Sequence, residues 1–154
     1  MGWDISIING DVNDRLPLGP REVVIAAVAK ALPGVVMECP PIPPKEMLDI
    51  MPPIVRENAL NPNLEAVCDI GDLTIRFYAL NQPVLHWINA EVRGNDDPLP
   101  MLAAICRPNN WSVLDAGDKQ IVDLNKTDDS AWDRFREWRD YAFRQALPSD
   151  NPDS

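Results

Sequence analysis

The sequence predicts a single α+β domain over residues 1–148, a mixed or mainly antiparallel sheet with about three helices packed on it. Three observations lead there. The chain has 154 residues, the usual size of one domain. Its middle third alternates apolar and polar residues with a period of two, the pattern of half-buried strands. The elements come as strand, helix, proline-rich loop, three strands, helix, two strands, helix, without the regular alternation that a parallel α/β sheet needs.

Trp3, Ile5 and Ile7 alternate with Asp4 and Ser6 until Asn9-Gly10-Asp11 breaks the run, which makes a first strand. Gly19-Pro20 opens a helix with proline at its first position, and Pro33-Gly34 closes it. Val23, Val24, Ala27, Val28, Ala31 and Leu32 give that helix a broad apolar face, so burial over most of its surface is expected. Residues 33–62 then carry eight of the 16 prolines. The pairs Pro40-Pro41, Pro43-Pro44 and Pro52-Pro53 exclude a sheet centre, and Lys45 to Met51 allows one or two helical turns. The segment stays apolar through Ile42, Met47, Leu48, Ile50, Met51, Ile54 and Val55, which predicts an ordered loop lying on the core.

Leu64–Asp69, Leu73–Leu80 and Val84–Arg93 read as three strands, turned at Ile70-Gly71-Asp72 and Asn81-Gln82-Pro83. Alternation assigns Leu73, Ile75, Phe77 and Ala79 to a core face with Val84, His86, Ile88, Ala90 and Val92. The other face takes Thr74, Arg76, Tyr78, Leu80, Leu85, Trp87, Asn89, Glu91 and Arg93. Pro98 to Cys106 is a short helix burying Leu99, Leu102, Ala103 and Cys106. Trp111–Asp115 and Gln120–Leu124 are short strands around Ala116-Gly117-Asp118. Thr127-Asp128-Asp129-Ser130 caps a last helix that runs to about Leu147. Its Ala131, Trp132, Phe135, Trp138, Ala142, Phe143, Ala146 and Leu147 fall on one half of the wheel, a stripe expected to pack in the core. Residues 149–154 form a polar tail expected to be flexible.

The charge balance is acidic, −10 with a sequence pI near 4.4. That argues against nucleic acid as a partner, which needs a basic surface to displace counterions, and against anionic membranes. Cys39, Cys68 and Cys106 are an odd, well-spread set that suits reduced thiols. With no apolar run of signal-peptide or membrane-span length, the cytoplasm is the expected location.

Catalytic sets are missing. The single histidine, His86, is expected inside the sheet, and with three scattered cysteines it offers no zinc site. There is no Gly-x-Ser-x-Gly elbow and no glycine-rich phosphate loop. No catalytic residue, metal or cofactor is therefore expected. Carboxylates are the abundant reactive group, as Asp96-Asp97, as Asp115, Asp118 and Asp123, and as Asp128-Asp129. If the turns bearing Asp96, Asp97, Asp115, Asp118 and Asp123 share one rim, they form a negative patch that attracts a basic protein. Tyr78 and Trp87, with Leu80 and Leu85, would supply the apolar anchors. The competing reading is a small enzyme or ligand-binding domain with a pocket near His86 and Trp87.

Some of these residues form a recognisable order. Trp3-Asp4-Ile5 opens the chain. Leu73-Thr74-Ile75-Arg76-Phe77 leads to Ile88-Asn89-Ala90-Glu91-Val92-Arg93-Gly94, then a helix, then Trp111-Ser112-Val113-Leu114-Asp115. This W-D-I start, hairpin ending in V-R-G and closing W-x-x-L-D resembles a group of small acidic bacterial proteins, the immunity partners of polymorphic toxins. The likeness covers the middle third of the chain and the first strand, and rests on structural residues. Members often carry histidine just before V-R-G, where this chain has Glu91. The proline-rich segment and the long aromatic last helix also depart from the pattern. The resemblance implies a cytosolic, non-enzymatic protein that occludes a cognate toxin's active site.

Overall fold

The computed structural model describes residues 2–10, 16–39, 41–78, 80–125 and 130–146. The elements are β1 (Trp3–Asn9), β2 (Gly19–Pro20), α1 (Arg21–Ala31), β3 (Val36–Glu38), α2 (Lys45–Ile50), α3 (Pro53–Leu60), β4 (Glu65–Asp69) and β5 (Leu73–Tyr78). They continue with β6 (Val84–Leu85), β7 (Ile88–Gly94), α4 (Leu99–Cys106), a 3₁₀ turn (Arg107–Asn109), β8 (Trp111–Asp115) and α5 (Ala131–Ala146). Six strands form one sheet in the order β3-β4-β5-β7-β1-β8, with every neighbouring pair antiparallel. β2 and β6 make a separate two-stranded ribbon. The class is α+β, with five helices where about three were expected. No helix among the described residues is long and apolar enough to cross a membrane.

The two extra helices come from the proline-rich segment. Pro44 precedes α2, and Pro53 is the first residue of α3, where a fixed φ and a missing N–H cost nothing. Neither helix buries a residue, and Ile50 and Ile54 are 83% and 75% exposed. The expectation that this stretch lies on the core is overturned. The two helices are tied to each other instead, because the Arg56 guanidinium donates to the Leu48 carbonyl (2.8 Å) and the Met51 carbonyl (3.2 Å). Helix α1 is also less buried than expected: only Val24 and Val28 are buried within it, and Val23 is well exposed.

The core forms on one face of the sheet. Trp3, Ile5 and Ile7 of β1, Ile75 and Phe77 of β5, and Ile88, Ala90 and Val92 of β7 alternate inward. They join Val24 and Val28 of α1, Leu102 and Ile105 of α4, and Trp132 of α5 in one cluster. Asp4, Ser6, Thr74, Arg76, Tyr78, Asn89, Glu91 and Arg93 point the other way, and none of them is buried. The face they form is open.

The expected strand Val84–Arg93 is broken. Val84 and Leu85 pair with Pro20 and Gly19, the chain bends at His86, and β7 begins at Ile88. The bend shifts the alternation by one residue, so Leu85 is buried (3%) and His86 is exposed. Leu80, placed outside by simple alternation, lies beyond the end of β5 and is 1% exposed. The expected strand Gln120–Leu124 is reduced to a single bridge between Leu114 and Ile121.

At the other end of β7, Gly94 closes the hairpin with φ of +109°, and a Cβ there would sit 2.1 Å from the Asp72 carbonyl oxygen. Only glycine permits that approach. The same carbonyl accepts the N–H groups of Asn95 (2.9 Å) and Asp96 (3.0 Å). Helix α5 starts on a reciprocal cap, in which the Ser130 hydroxyl accepts the Asp133 N–H at 3.1 Å and the Ser130 N–H faces the Asp133 carboxylate at 3.4 Å. Thr127, Asp128, Asp129, Leu147 and the tail 149–154 lie outside the described residues.

Candidate functional site

Antiparallel pairing decides which turns meet. Trp3 pairs with Val92, Ile5 with Asp115, and Leu73 with Gly94. The start of β1, the β4–β5 turn and the ends of β7 and β8 therefore share one end of the sheet. That end carries Asp69, Asp72, Asp96, Asp97, Asp115 and Asp118.

Each sequence-predicted acid also serves its own turn. Asp96 Oδ2 accepts the Asp72 N–H at 2.9 Å, and Asp97 Oδ1 accepts the Leu99 N–H at the start of α4, also at 2.9 Å. Asp115 is used twice, by the Trp3 indole N–H (3.0 Å) and by the Gly117 N–H (2.8 Å). Asp118 accepts from Gln120 (2.9 Å) and Asp123 from Asn125 (3.0 Å). A carboxylate has about four acceptor sites, so each keeps capacity for an external donor. Arg136 pairs with Asp133 (3.2 Å) and Arg139 with Asp140 (3.3 Å). Arg139 also donates to the Gly94 carbonyl and the Asn95 side chain, both at 2.7 Å, which brings positive charge to the Asp96–Asp97 corner.

The Asp115–Asp118 corner opens into a groove of about 690 Å³ between the sheet end and α5. Trp3, Phe135 and Trp138 form its apolar wall, and Asp115 and Asp118 stand along it with Arg134. The Trp3 ring lies 5.8 Å from Trp132 and 6.2 Å from Phe135, and Phe135 lies 5.9 Å from Trp138. Along α5 these aromatics emerge from the core: Trp132 is 1% exposed and Trp138 is 55% exposed. From Glu137 to Gln145 no residue is buried, because the helix runs past the surface it packs on. The expected core stripe is thus corrected at Trp138 and Phe143.

Asp115, Asp118 and Asp123 line a smaller adjoining cavity of about 170 Å³ with Arg134. Among the described residues no group of three His, Cys, Asp or Glu side chains is arranged to hold a metal ion. Tyr78 and Trp87 lie elsewhere. They sit at the opposite end of β5 and β7, about 20 Å from the acidic turns by strand rise. There they line a hollow of about 250 Å³ with His86 and Val84. Burial and the nearby Glu91 carboxylate raise the Tyr78 phenol above its ordinary pKa. Leu80 and Leu85, both buried, cannot anchor a partner.

On the open sheet face the two arginines are engaged by acids. Arg76 pairs with Glu65 (2.6 Å) and Glu38 (3.1 Å), and Arg93 pairs with Glu91. The groove residues that sequence reasoning missed are Trp3, Arg134, Phe135 and Trp138. Comparison with protein-family models, with curated proteins and with solved structures finds no match.

Proposed function

We propose that this chain is a cytosolic immunity protein. It binds a cognate interbacterial toxin whose working surface is basic and neutralises it by seating its acidic sheet end over that surface. The observation that carries this reading is the convergence of Asp72, Asp96, Asp97, Asp115 and Asp118 at one end of the sheet in a chain of net charge −10. Clustered charge of one sign steers an oppositely charged partner and raises its association rate. The W-D-I, V-R-G and W-x-x-L-D order supports the same class, and Gly94 of V-R-G is the residue that folds the Asp96 loop against Asp72.

The test is co-expression with the protein encoded immediately upstream, followed by capture at low and at high salt. Protection of the cells, and a complex whose association slows as salt rises, supports the reading. Absence of capture at both salt concentrations sinks it. Asp96→Asn with Asp97→Asn is the informative variant. It removes two charges while an amide oxygen still accepts the Asp72 and Leu99 N–H groups.

A further inference from the structure

We infer that the groove between α5 and the sheet end takes an extended basic segment of the partner and seats an arginine side chain of that segment on Trp138. The inference rests on the reading above for the partner's basic character, and it names the chemistry by which that partner is gripped. Two features of the groove converge on a guanidinium. Trp138 offers a half-exposed indole face backed by Phe135, and cations stack on indole better than on other rings. Asp115 and Asp118 stand on the same groove, so its lining is net negative even with Arg134 present. Arginine alone among side chains combines a stacking plane with a fork that matches a carboxylate.

The other occupants fit poorly. A second copy would bring another net charge of −10 against the same acids. The chain's own terminus, residues 147–154, contains Asp150 and Asp153 and no cation. A purely apolar segment would strip water from the rim carboxylates without giving them a partner. At about 690 Å³ the groove is within the range of pockets that enclose a whole small ligand, so it has room for more than one side chain.

The probe is an amidated tetra-arginine peptide, with tetra-lysine as the comparison, titrated into the full chain and followed by amide and indole NMR shifts. The expected result is saturable binding that moves the Trp138 indole and Gly117 amide signals. Trp138→Ala should weaken tetra-arginine about five-fold, Trp138→Phe less, and tetra-lysine should bind more weakly than tetra-arginine. An unchanged melting temperature for Trp138→Ala would show that the fold is intact. Shifts spread evenly over all acidic turns, or an affinity within two-fold for Trp138→Ala, overturn the inference. Equal capture of the upstream-encoded toxin by Trp138→Ala and the parent chain also overturns it and leaves the immunity reading standing. Groove binding of the peptide without any toxin capture does the reverse.

Discussion

The indole N–H of Trp3 donates to Asp115 Oδ2 at 3.0 Å, across 112 residues of chain. Trp3 begins the first strand and Asp115 ends the last strand of the sheet, so one bond clasps the end of the sheet that carries the acids. The other Asp115 oxygen holds the Gly117 N–H at 2.8 Å and fixes the following turn.

Asp115 is therefore a structural acid as well as a charged one. Asp115→Ala is expected to cost about 1–3 kcal/mol in urea unfolding, since it leaves two donors without their acceptor. Asp118→Asn, which keeps an acceptor oxygen for Gln120, is expected to stay within about 0.5 kcal/mol.

Two tryptophans six residues apart on α5 should behave oppositely. Trp132 is buried against Trp3 and Phe135, and Trp132→Ala is expected to cost about 3–5 kcal/mol. Trp138→Ala, at a half-exposed position, should change stability by less than about 0.5 kcal/mol. Chemical denaturation of both variants side by side decides the point.

The thiols give a pH prediction. Burial pushes Cys106 up to about 12 from 9.0, and burial together with Asp69 raises Cys68. Both groups have raised folded pKa values, so their contribution is complete below pH 9 and is lost as the pH rises, towards 12 for Cys106. Above pH 9 the unfolded chain binds fewer protons than the folded one, and stability should fall by about 1.4 kcal/mol per pH unit on account of Cys106, with Cys68 adding in the same direction. Cys106→Ala should flatten this alkaline limb. At pH 8 a thiol reagent should label the exposed Cys39 in the native chain and all three cysteines after denaturation.

Arg56 should control local rather than global stability. Its bonds to Leu48, Asp49 and Met51 help tie α2 to α3, which bury nothing. Arg56→Ala is expected to speed amide exchange across residues 45–60 by about five-fold or more, consistent with the loss of roughly 1 kcal/mol of hydrogen bonding. The melting temperature of the sheet should not move.

Strands whose faces meet the core on one side and water on the other were legible from the alternation of residues alone. β1, β5 and β7 alternate as written, because burial on a single face forces a period of two. What escaped the sequence is where an element stops touching the rest. The stripe from Trp132 to Phe143 has one helical phase throughout, and only the position of the sheet end decides that Trp132 is buried and Trp138 is not. The same limitation hid the bend at His86, which inverted the expected sides of His86 and Leu85.

The acidic end was legible in part. That Asp96, Asp97, Asp115 and Asp118 meet depends on strand order, which follows from the antiparallel pairing and not from any local pattern. Tyr78 and Trp87 were grouped with them by face, yet a face is as long as its strands, and they occupy its far end. In the proline-rich stretch, the helical turns allowed over Lys45 to Met51 form as α2, whereas α3 was missed because Pro52-Pro53 was taken for loop, and proline is as well suited to a first helical turn.

Helices pack on one side of the sheet, and among the described residues none buries the side bearing Ser6, Thr74, Arg76, Asn89 and Arg93. Substitutions on that bare side leave interior packing untouched, so it can diversify generation by generation at little thermodynamic penalty.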